Sequence, residues 1–478
     1  MSNVSSTAWR DVDATPDDPN ALRGRRVLVM GLGLLGGGVA AARYAAEHGA
    51  AEVIATDLRD EQTLAPSIAK LHGLPIRYVL GHHDMADFER ADVVVRNPGV
   101  RRDSPYLVIA QAAGARVEME IAWFFRACRG KIAGVTGTRG KSTTTTLLHH
   151  ILTTAGLNPL LGGNLGGIET LSLLPQISPD RWVVLELGNW MLEGLHPIRH
   201  SPQLAIFTNL LPDHLNAYDS MDDYGEAKSS IWRYQTAHDI ALFNADNDYA
   251  ARYAAQAPAG QVWLYSDRGV AHMRDTPSET RPFAYADVIH LRGAHNLGNV
   301  QAATLAAELI GVVPDTIHAA VASFGGVPHR LESVRTLDGV TYVNDSASTA
   351  PVAGIAALRS FDEPIVLIAG GNSKDLDMRD FAVEAAARAK RIILLAGNAT
   401  GDFAAALRTA ASDQHRPGDL ITGPYDDLAR ALEEARRTAT PGDVVLLSPG
   451  FTSFGLFLNE FDRGNQFRTL VQALSSRA

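Results

Sequence analysis

The stretch from Gly134 to Leu152, GVTGTRGKSTTTTLLHHIL, admits few folds. Ile132, Ala133 and Val135 predict a buried strand, and the turn Gly137-Thr138-Arg139-Gly140-Lys141-Ser142 follows at once. Leu147, Leu148, Ile151 and Leu152 recur at helical spacing, with Gly156 placed to end the helix. Strand, glycine turn and helix N-terminus together make an anion trap. Glycines let backbone N–H groups converge on phosphate oxygens, and the helix dipole favours negative charge there. Lys141 can reach the outer phosphates, and the Ser142 hydroxyl can ligate Mg²⁺. The spacing departs from the usual phosphate-loop pattern: the fifth residue before Gly140 is Val135, and the glycine stands one further back at Gly134. The flanking strand and helix supply the context that the motif demands.

A chain of 478 residues exceeds one ordinary core, so several domains are expected. Hydrophobic residues make up 46% and charged residues 20%, as in a soluble globular protein. The net charge of −10 argues against a general nucleic-acid or anionic-membrane binder, while leaving room for a local basic nucleotide pocket. Cys128, the single cysteine, excludes an intramolecular disulfide and any multi-cysteine zinc site, and fits a reducing cytoplasm. No apolar run approaches the roughly 20 residues a membrane helix needs. Residues 1–22 begin polar and acidic and read as a disordered tail with no signal-peptide character.

The first folded unit is expected over residues 23–129. RRVLVMGLGLLGGG reads as a buried strand and a glycine turn, with Gly31, Gly33 and Gly36 fitting G-x-G-x-x-G. VIATD ends at Asp57, and ADVVVRNPGV ends in the turn Asn97-Pro98-Gly99, as in a dinucleotide-type half-domain. A dehydrogenase holding NAD is one reading; it leaves Lys141 without a use. The other is a domain that holds the nucleotide end of a substrate. The second unit, 130–327, alternates strand-like runs (RWVVLELGNW, LAIFTNLLPDHLN, HDIALFNADN, ADVIHLRGAHNLGN) with helical patterns, which predicts a largely parallel sheet. The third, 328–478, carries GVTYVND, EPIVLIAGG, RIILLAG and GDVVLLSPG in the same alternation. Gly325 to His329 read as a hinge. Glu186, at a strand end beside the phosphate loop, is a natural Mg²⁺ ligand, with a solvated loop carboxylate as the alternative. His214 and Lys228 taken alone read as an ordinary histidine and an ordinary helix lysine.

Nearly the whole folded chain resembles the Mur ligases of peptidoglycan synthesis, and within them the glutamate-adding branch. The stretches that carry the resemblance, in order, are GLGLLG, NPGV, GVTGTRGKST, GGNLGG, LELGNWMLE, TNLLPDHLNAY with EAKSSIW, GAHNLGN, GVPHRLE, YVNDSAST, LIAGGNSKDLD and LLSPGFTSF. The resemblance implies an α/β protein of three domains: Rossmann-like, central P-loop ATPase-type with a parallel sheet, and a second Rossmann-like domain. It implies an ATP-dependent cytoplasmic ligase, a monomer that binds neither nucleic acid nor membrane. Its substrates would be UDP-N-acetylmuramoyl-L-alanine and glutamate, joined through an acyl phosphate.

Residue by residue, the resemblance implies that Leu34, Leu35, Asp57, Arg59 and Asn97 hold the uridine end. Gly137, Thr138, Arg139, Gly140, Lys141, Ser142 and Thr143 would bind ATP, Asn296 and Asn299 would lie near the adenine, and Arg330 and Asp345 would reach the nucleotide from the third domain. Asn164 and His214 would lie near the muramoyl group. Ser142, Glu186 and a carbamylated Lys228 would support Mg²⁺, and Lys141, Glu186, His214 and Lys228 form the implied catalytic set. Thr349, Lys374 and Ser453 would contact glutamate. The chain departs from the family pattern at Arg139 (commonly Asn), at Gly188-Asn189-Trp190-Met191, at Ala347 (usually lysine) and at Glu460 (usually aromatic). These changes lean toward a branch that adds L-glutamate, with D-glutamate as the alternative. A nucleotide-switched binding protein and a folylpolyglutamate synthetase, which lacks such an N-terminal domain, are the competing classes.

Overall fold

The computed structural model describes residues 21–34, 36–165, 168–213, 218–266, 269–273, 281–282, 285, 295–373, 376–453 and 455–476. The tail lies outside these residues up to position 20, but Leu22 is already buried in the core. The site candidates Leu35, His214 and Lys374 also lie outside the described residues. The chain forms two compact units, which part between Ser323 and Phe324. Among the described residues no helix is long and apolar enough to cross a membrane.

The first unit contains two sheets. In the N-terminal sheet, β1 (Arg26–Met30), β2 (Glu52–Asp57), β3 (Ile76–Leu80), β4 (Val93–Arg96) and β5 (Arg116–Glu118) take the order β3-β2-β1-β4-β5. All of its pairings are parallel. Helices cover both faces, so β1 beyond the exposed Arg26 and β4 up to Arg96 are apolar, and apart from Arg26 both strands are buried. The strand order reverses between β1 and β4, and the crevice at such a switch point is where open α/β sheets bind ligands. The glycine turn after β1 and the Asn97 turn after β4 both sit there.

The middle sheet is built from β6 (Lys131–Thr136), β7 (Leu160–Gly163), β8 (Trp182–Glu186), β9 (Leu204–Phe207), β10 (Ile240–Asn244), β11 (Gln261–Ser266) and β12 (Gly269–His272), in the order β12-β11-β10-β9-β6-β8-β7. Only β11–β12 is antiparallel. The short strands β7 and β12 were not anticipated from sequence. Of the run ADVIHLRGAHNLGN, residues 286–294 lie outside the described part, and Asn296 and Asn299 fall on the helix His295–Ile310, not at a strand end.

These two sheets share one hydrophobic cluster, which includes Val27, Ala41, Phe124, Val183 and Ile231. Charged groups reinforce the seam. Glu193, whose side chain is fully buried, accepts hydrogen bonds from Arg96 Nη2 (2.9 Å), from Arg102 and from the Tyr218 hydroxyl (2.6 Å). Glu169 pairs with Arg43 (2.8 Å) and Lys70 (3.4 Å).

The second unit is one sheet of β13 (Glu332–Leu337), β14 (Val340–Asn344), β15 (Ile365–Ala369), β16 (Ala389–Leu395), β17 (Ile421–Tyr425) and β18 (Val444–Leu447), ordered β13-β14-β18-β15-β16-β17. The sequence predicts four of these strands. β17 contains Gly423-Pro424, which reads as a breaker, but an edge strand tolerates proline. The two faces of this sheet bury separate apolar clusters, one around Phe381 and Phe403 and the other around Leu432 and Phe467.

Gly38 shows how closely the first helix, Gly37–Glu47, seats on its strand: a Cβ there would lie 2.4 Å from the carbonyl oxygens of both Gly31 and Leu32. Gly38→Ala is expected to cost about 1–3 kcal/mol through overpacking against rigid backbone. Gly401→Ala, in a helix with open space around it, should be neutral or slightly stabilising. Urea unfolding of both variants, followed by circular dichroism, checks the contrast.

Candidate active site

The phosphate-type loop leaves β6 at Thr136 and enters the helix Lys141–Thr154, with Gly140 as its left-handed N-cap at φ +84°. Gly137 has φ +148°, and a Cβ on it would lie 1.9 Å from Thr208 Oγ1. A Cβ on Gly140 would lie 2.2 Å from Asn299 Oδ1. The loop therefore has no room for side chains at the positions whose N–H groups must stay open. Its outer side is held by residues after β9. Thr208 Oγ1 donates to the Arg139 carbonyl (2.6 Å), Asn209 accepts from the Arg139 N–H (2.9 Å) and donates to the Arg139 carbonyl (3.1 Å), and the Thr138 N–H donates to the Asn209 carbonyl (2.9 Å).

β6 lies between β8 and β9, so their C-terminal ends converge. The Lys141 ammonium donates to the carbonyls of Gly137 (3.0 Å) and Thr138 (2.9 Å). Lys228, on the helix Met221–Arg233, is 1% exposed and donates to the same Gly137 carbonyl (3.2 Å), with its ammonium 4.7 Å from the Tyr224 ring centre. Burial, followed by the nearby Lys141 charge, pushes Lys228 well below the usual lysine range, against the smaller pull of Asp213 and Glu186. Glu186 ends β8 almost fully buried; one carboxylate oxygen accepts from Asn164 Nδ2 (3.1 Å), and Oε2 has no hydrogen-bond partner among the described residues. Gly163, at φ +88°, lets β7 come so close that a Cβ would sit 2.1 Å from the Glu186 carbonyl, and the Asn164 N–H donates to that carbonyl (2.8 Å). Ser142 is half-buried in the first turn of the loop's helix. Asn299 Nδ2 donates to Asn296 Oδ1 (2.9 Å), which places this pair against Gly140.

The arrangement fits a nucleotide with Mg²⁺. The cradle excludes Cβ atoms, and Glu186 Oε2 is a buried carboxylate oxygen without a hydrogen bond among the described residues, a donor suited to a metal ion. Among the described residues no three His, Cys, Asp or Glu side chains cluster as a metal site. Few protein oxygens suit Mg²⁺, which keeps waters and takes phosphate oxygens as further ligands.

At the N-terminal switch point, Asn97 Nδ2 donates to the Gly31 carbonyl (3.0 Å), tying the two turns together. Asp57 accepts from the Gly33 N–H (2.9 Å) and the Arg59 N–H (3.0 Å). Its carboxylate thus shapes the glycine turn from within, while Leu34 is half-buried and Arg59 exposed. Sequence reasoning missed Thr208 and Asn209, although TNLL was in view, because a side chain that braces a loop's backbone leaves no spacing signature. It also missed Asp213, Tyr224 and the Glu193 network.

In the second unit, Asp345 is buried at the end of β14 and accepts from the hydroxyls of Ser348 and Ser448 and from the Leu331 N–H (3.1 Å). Burial pushes its carboxyl up to about 6, against these bonds and the Arg330 charge. Arg330 itself is exposed, between His329 and Leu331, both in left-handed backbone. Ser453 is buried, and its hydroxyl has no partner among the described residues. Thr349 closes the loop after β14.

Some departures from the family pattern have local structural explanations. Asn189 is buried and donates to the Tyr218 hydroxyl (2.7 Å), and Trp190 stacks on the Tyr218 ring. These residues support the central domain's interior. Glu460 opens the helix Glu460–Ala473, where an acidic side chain suits the helix dipole.

Three family models match the chain: the MurD-like N-terminal domain of Mur ligases over residues 25–118, the Mur ligase middle domain over 135–307, and the Mur ligase glutamate ligase domain over 329–451. A UDP-N-acetylmuramoylalanine–D-glutamate ligase of Roseiflexus sp. (strain RS-1) is 48% identical over 471 residues, covering 95% of this chain and all of that relative. The enzyme of the same name from Acetivibrio thermocellus is 34% identical, covering 96% and 99%. Among solved structures, UDP-N-acetylmuramate–alanine ligase MurC from Thermotoga maritima aligns with a TM-score of 0.59 at 19% identity, covering 94% of this chain and 99% of that one, and shares the fold. The N-terminal match removes the dehydrogenase reading of the glycine fingerprint. The L-glutamate lean finds no support, since these two relatives are named for the D-isomer. With three family models spanning most of its length and close relatives aligned end to end, the chain belongs to the Mur ligase family.

Proposed function

We propose that the protein joins D-glutamate to UDP-N-acetylmuramoyl-L-alanine, converting ATP to ADP and phosphate, in the cytoplasm as a step of peptidoglycan precursor synthesis. The names of relatives 48% and 34% identical over nearly the whole chain support the substrate pair. The observation that carries the chemistry is the convergence of Lys141 and Lys228 on the Gly137 carbonyl beside the unpartnered Glu186 oxygen.

In this reading the alanine carboxylate of the substrate attacks the γ-phosphorus of ATP, and the bond to ADP breaks. The glutamate amine then attacks the acyl carbon, phosphate leaves with its electron pair, and the amine gives up a proton. Loop N–H groups from Gly137 to Thr143 and the Lys141 ammonium offset charge on the transferring phosphoryl group. Mg²⁺, held by Ser142, Glu186 and Lys228 as a carbamate, would neutralise phosphate charge. Burial favours the neutral Lys228 amine. That amine adds to CO₂ with loss of a proton, and the resulting anion suits a pocket already containing Lys141. Asn164 and His214 orient the muramoyl end, and Asn296 and Asn299 face the nucleotide. Arg330 and Asp345 match family positions that contact the nucleotide. Leu34, Leu35, Asp57, Arg59 and Asn97 receive or shape the uridine site, and Thr349, Lys374 and Ser453 contact glutamate.

Lys141→Ala should lose several orders of magnitude in turnover while remaining folded; wild-type-like ADP release would remove the assignment. Lys228→Ala should be nearly inactive and partly rescued by small carboxylates that fill the vacated anionic site. Full activity of that variant in CO₂-depleted buffer would count against the carbamate. With ADP release measured for each isomer at equal concentration, kcat/KM should favour D-glutamate by at least about 10²-fold, because the wrong enantiomer leaves buried polar groups unpaired. A preference for the L-isomer would instead return weight to Ala347 as a specificity change.

A further inference from the structure

Arg463 is 1% exposed and is the bulkiest of the fully buried side chains among the described residues. It is the fourth residue of the helix Glu460–Ala473. Its Nε donates to Ser346 Oγ (2.9 Å) and its Nη2 to the Ser346 carbonyl (2.9 Å), while both Nη atoms reach the Phe451 carbonyl (3.4 Å). No carboxylate is directly bonded to it; Glu460 and Asp345 act on it only through space, and burial pushes it down to about 10. A charge taken this far out of water without an ion-pair partner is costly and calls for a reason.

The reason lies in what the fork joins. Ser346 lies in the loop after β14, which ends at Thr349; Phe451 lies in the loop after β18, which leads to Ser453. β14 and β18 are parallel neighbours, so both loops leave the same edge of the sheet. The Ser346 hydroxyl in turn donates a hydrogen bond to the Glu460 carbonyl (2.7 Å), which ties the helix start to the first loop. Thr452 pairs with Asn372 through reciprocal backbone bonds (3.0 and 3.1 Å), fixing the second loop from its other side. What the clamped loops present is Ser453, buried with a hydroxyl that no group of the described chain satisfies. Lysine could not reproduce the grip, because a single ammonium cannot span acceptors in two loops as a planar guanidinium does.

We infer that Arg463 is a positioning residue for the incoming amino acid: its guanidinium holds the loops of Thr349 and Ser453 in the register that binds a carboxylate-bearing amine. This inference rests on the proposed ligase reading and adds a specificity element to it. The test uses the full chain with ATP, UDP-N-acetylmuramoyl-L-alanine and D-glutamate, following phosphate release. Arg463→Lys keeps the charge and loses the fork. It should raise KM for glutamate about tenfold, the scale of one charge-assisted hydrogen bond, with kcat and the other two KM values changed less than about twofold. Ser346→Ala removes one acceptor of the fork together with the hydroxyl's bond to the Glu460 carbonyl, keeps the Ser346 carbonyl acceptor, and should raise the same KM by a smaller factor; it decides the matter alone if Arg463→Lys does not fold. An unchanged glutamate KM in a folded variant, or an equal rise in all three KM values, overturns the inference and leaves the ligase reading intact. Wild-type protein that turns over neither glutamate isomer would overturn both.

Discussion

Two lysine ammoniums donate to one carbonyl oxygen, that of Gly137, and the active region is organised around that crowding. Burial, and after it the like charge of Lys141 at the same acceptor, leaves the Lys228 proton weakly held. Anions relieve the repulsion. Phosphate groups lying along the open loop N–H groups would do so for Lys141, and conversion of Lys228 into an anion would change the sign of the contact altogether. Glu186 completes the balance: its buried oxygen has no hydrogen bond among the described residues, which is costly, and a cation shared with phosphate is the natural partner. The pocket is thus incomplete in its own charges and matched to what it binds.

Holding such a pocket open falls to glycines and to side chains that brace the loop backbone. Gly137 and Gly140 leave space, and Thr208, Asn209 and Asn299 fill it from the other side. The third sheet repeats the arrangement. Asp345 gathers two serine hydroxyls and a backbone N–H at the end of β14, while Arg463 holds the same loop to its neighbour. In both sheets the strand ends supply positions, and backbone carbonyls and N–H groups anchor them.

Much of this was legible in the sequence because some functions demand particular backbones. A phosphate loop needs glycines before a helix, and a strand-end acid such as Glu186 announces itself by where the apolar run stops. The central strands β1, β6, β15 and β18 were equally plain, being buried and mainly apolar after an exposed basic first residue in β1 and β6. The edge strands were not: β7 is half glycine, and β17 carries Gly423-Pro424. Contacts distant in sequence left no trace either, as with Arg96 and Glu193, 97 positions apart. The lean toward L-glutamate failed for a related reason. Residue changes were assigned to a pocket by motif alone, whereas Asn189 and Trp190 pack inward on Tyr218 and Glu460 starts a helix.

The seam between the first two domains has a consequence of its own. Breaking a buried, fully engaged pair such as Arg96–Glu193 costs about 3–5 kcal/mol, and the two sheets also share one apolar cluster. Such a joint is a weld, not a pivot. The glycine turn at the end of β1 and the phosphate loop at the end of β6 are then fixed points on one rigid frame. A molecule gripped at one end by the first can present its other end at the second only if its length matches the gap. For a substrate held at both points, the frame would act as a gauge, rejecting by dimension what its side chains alone would accept.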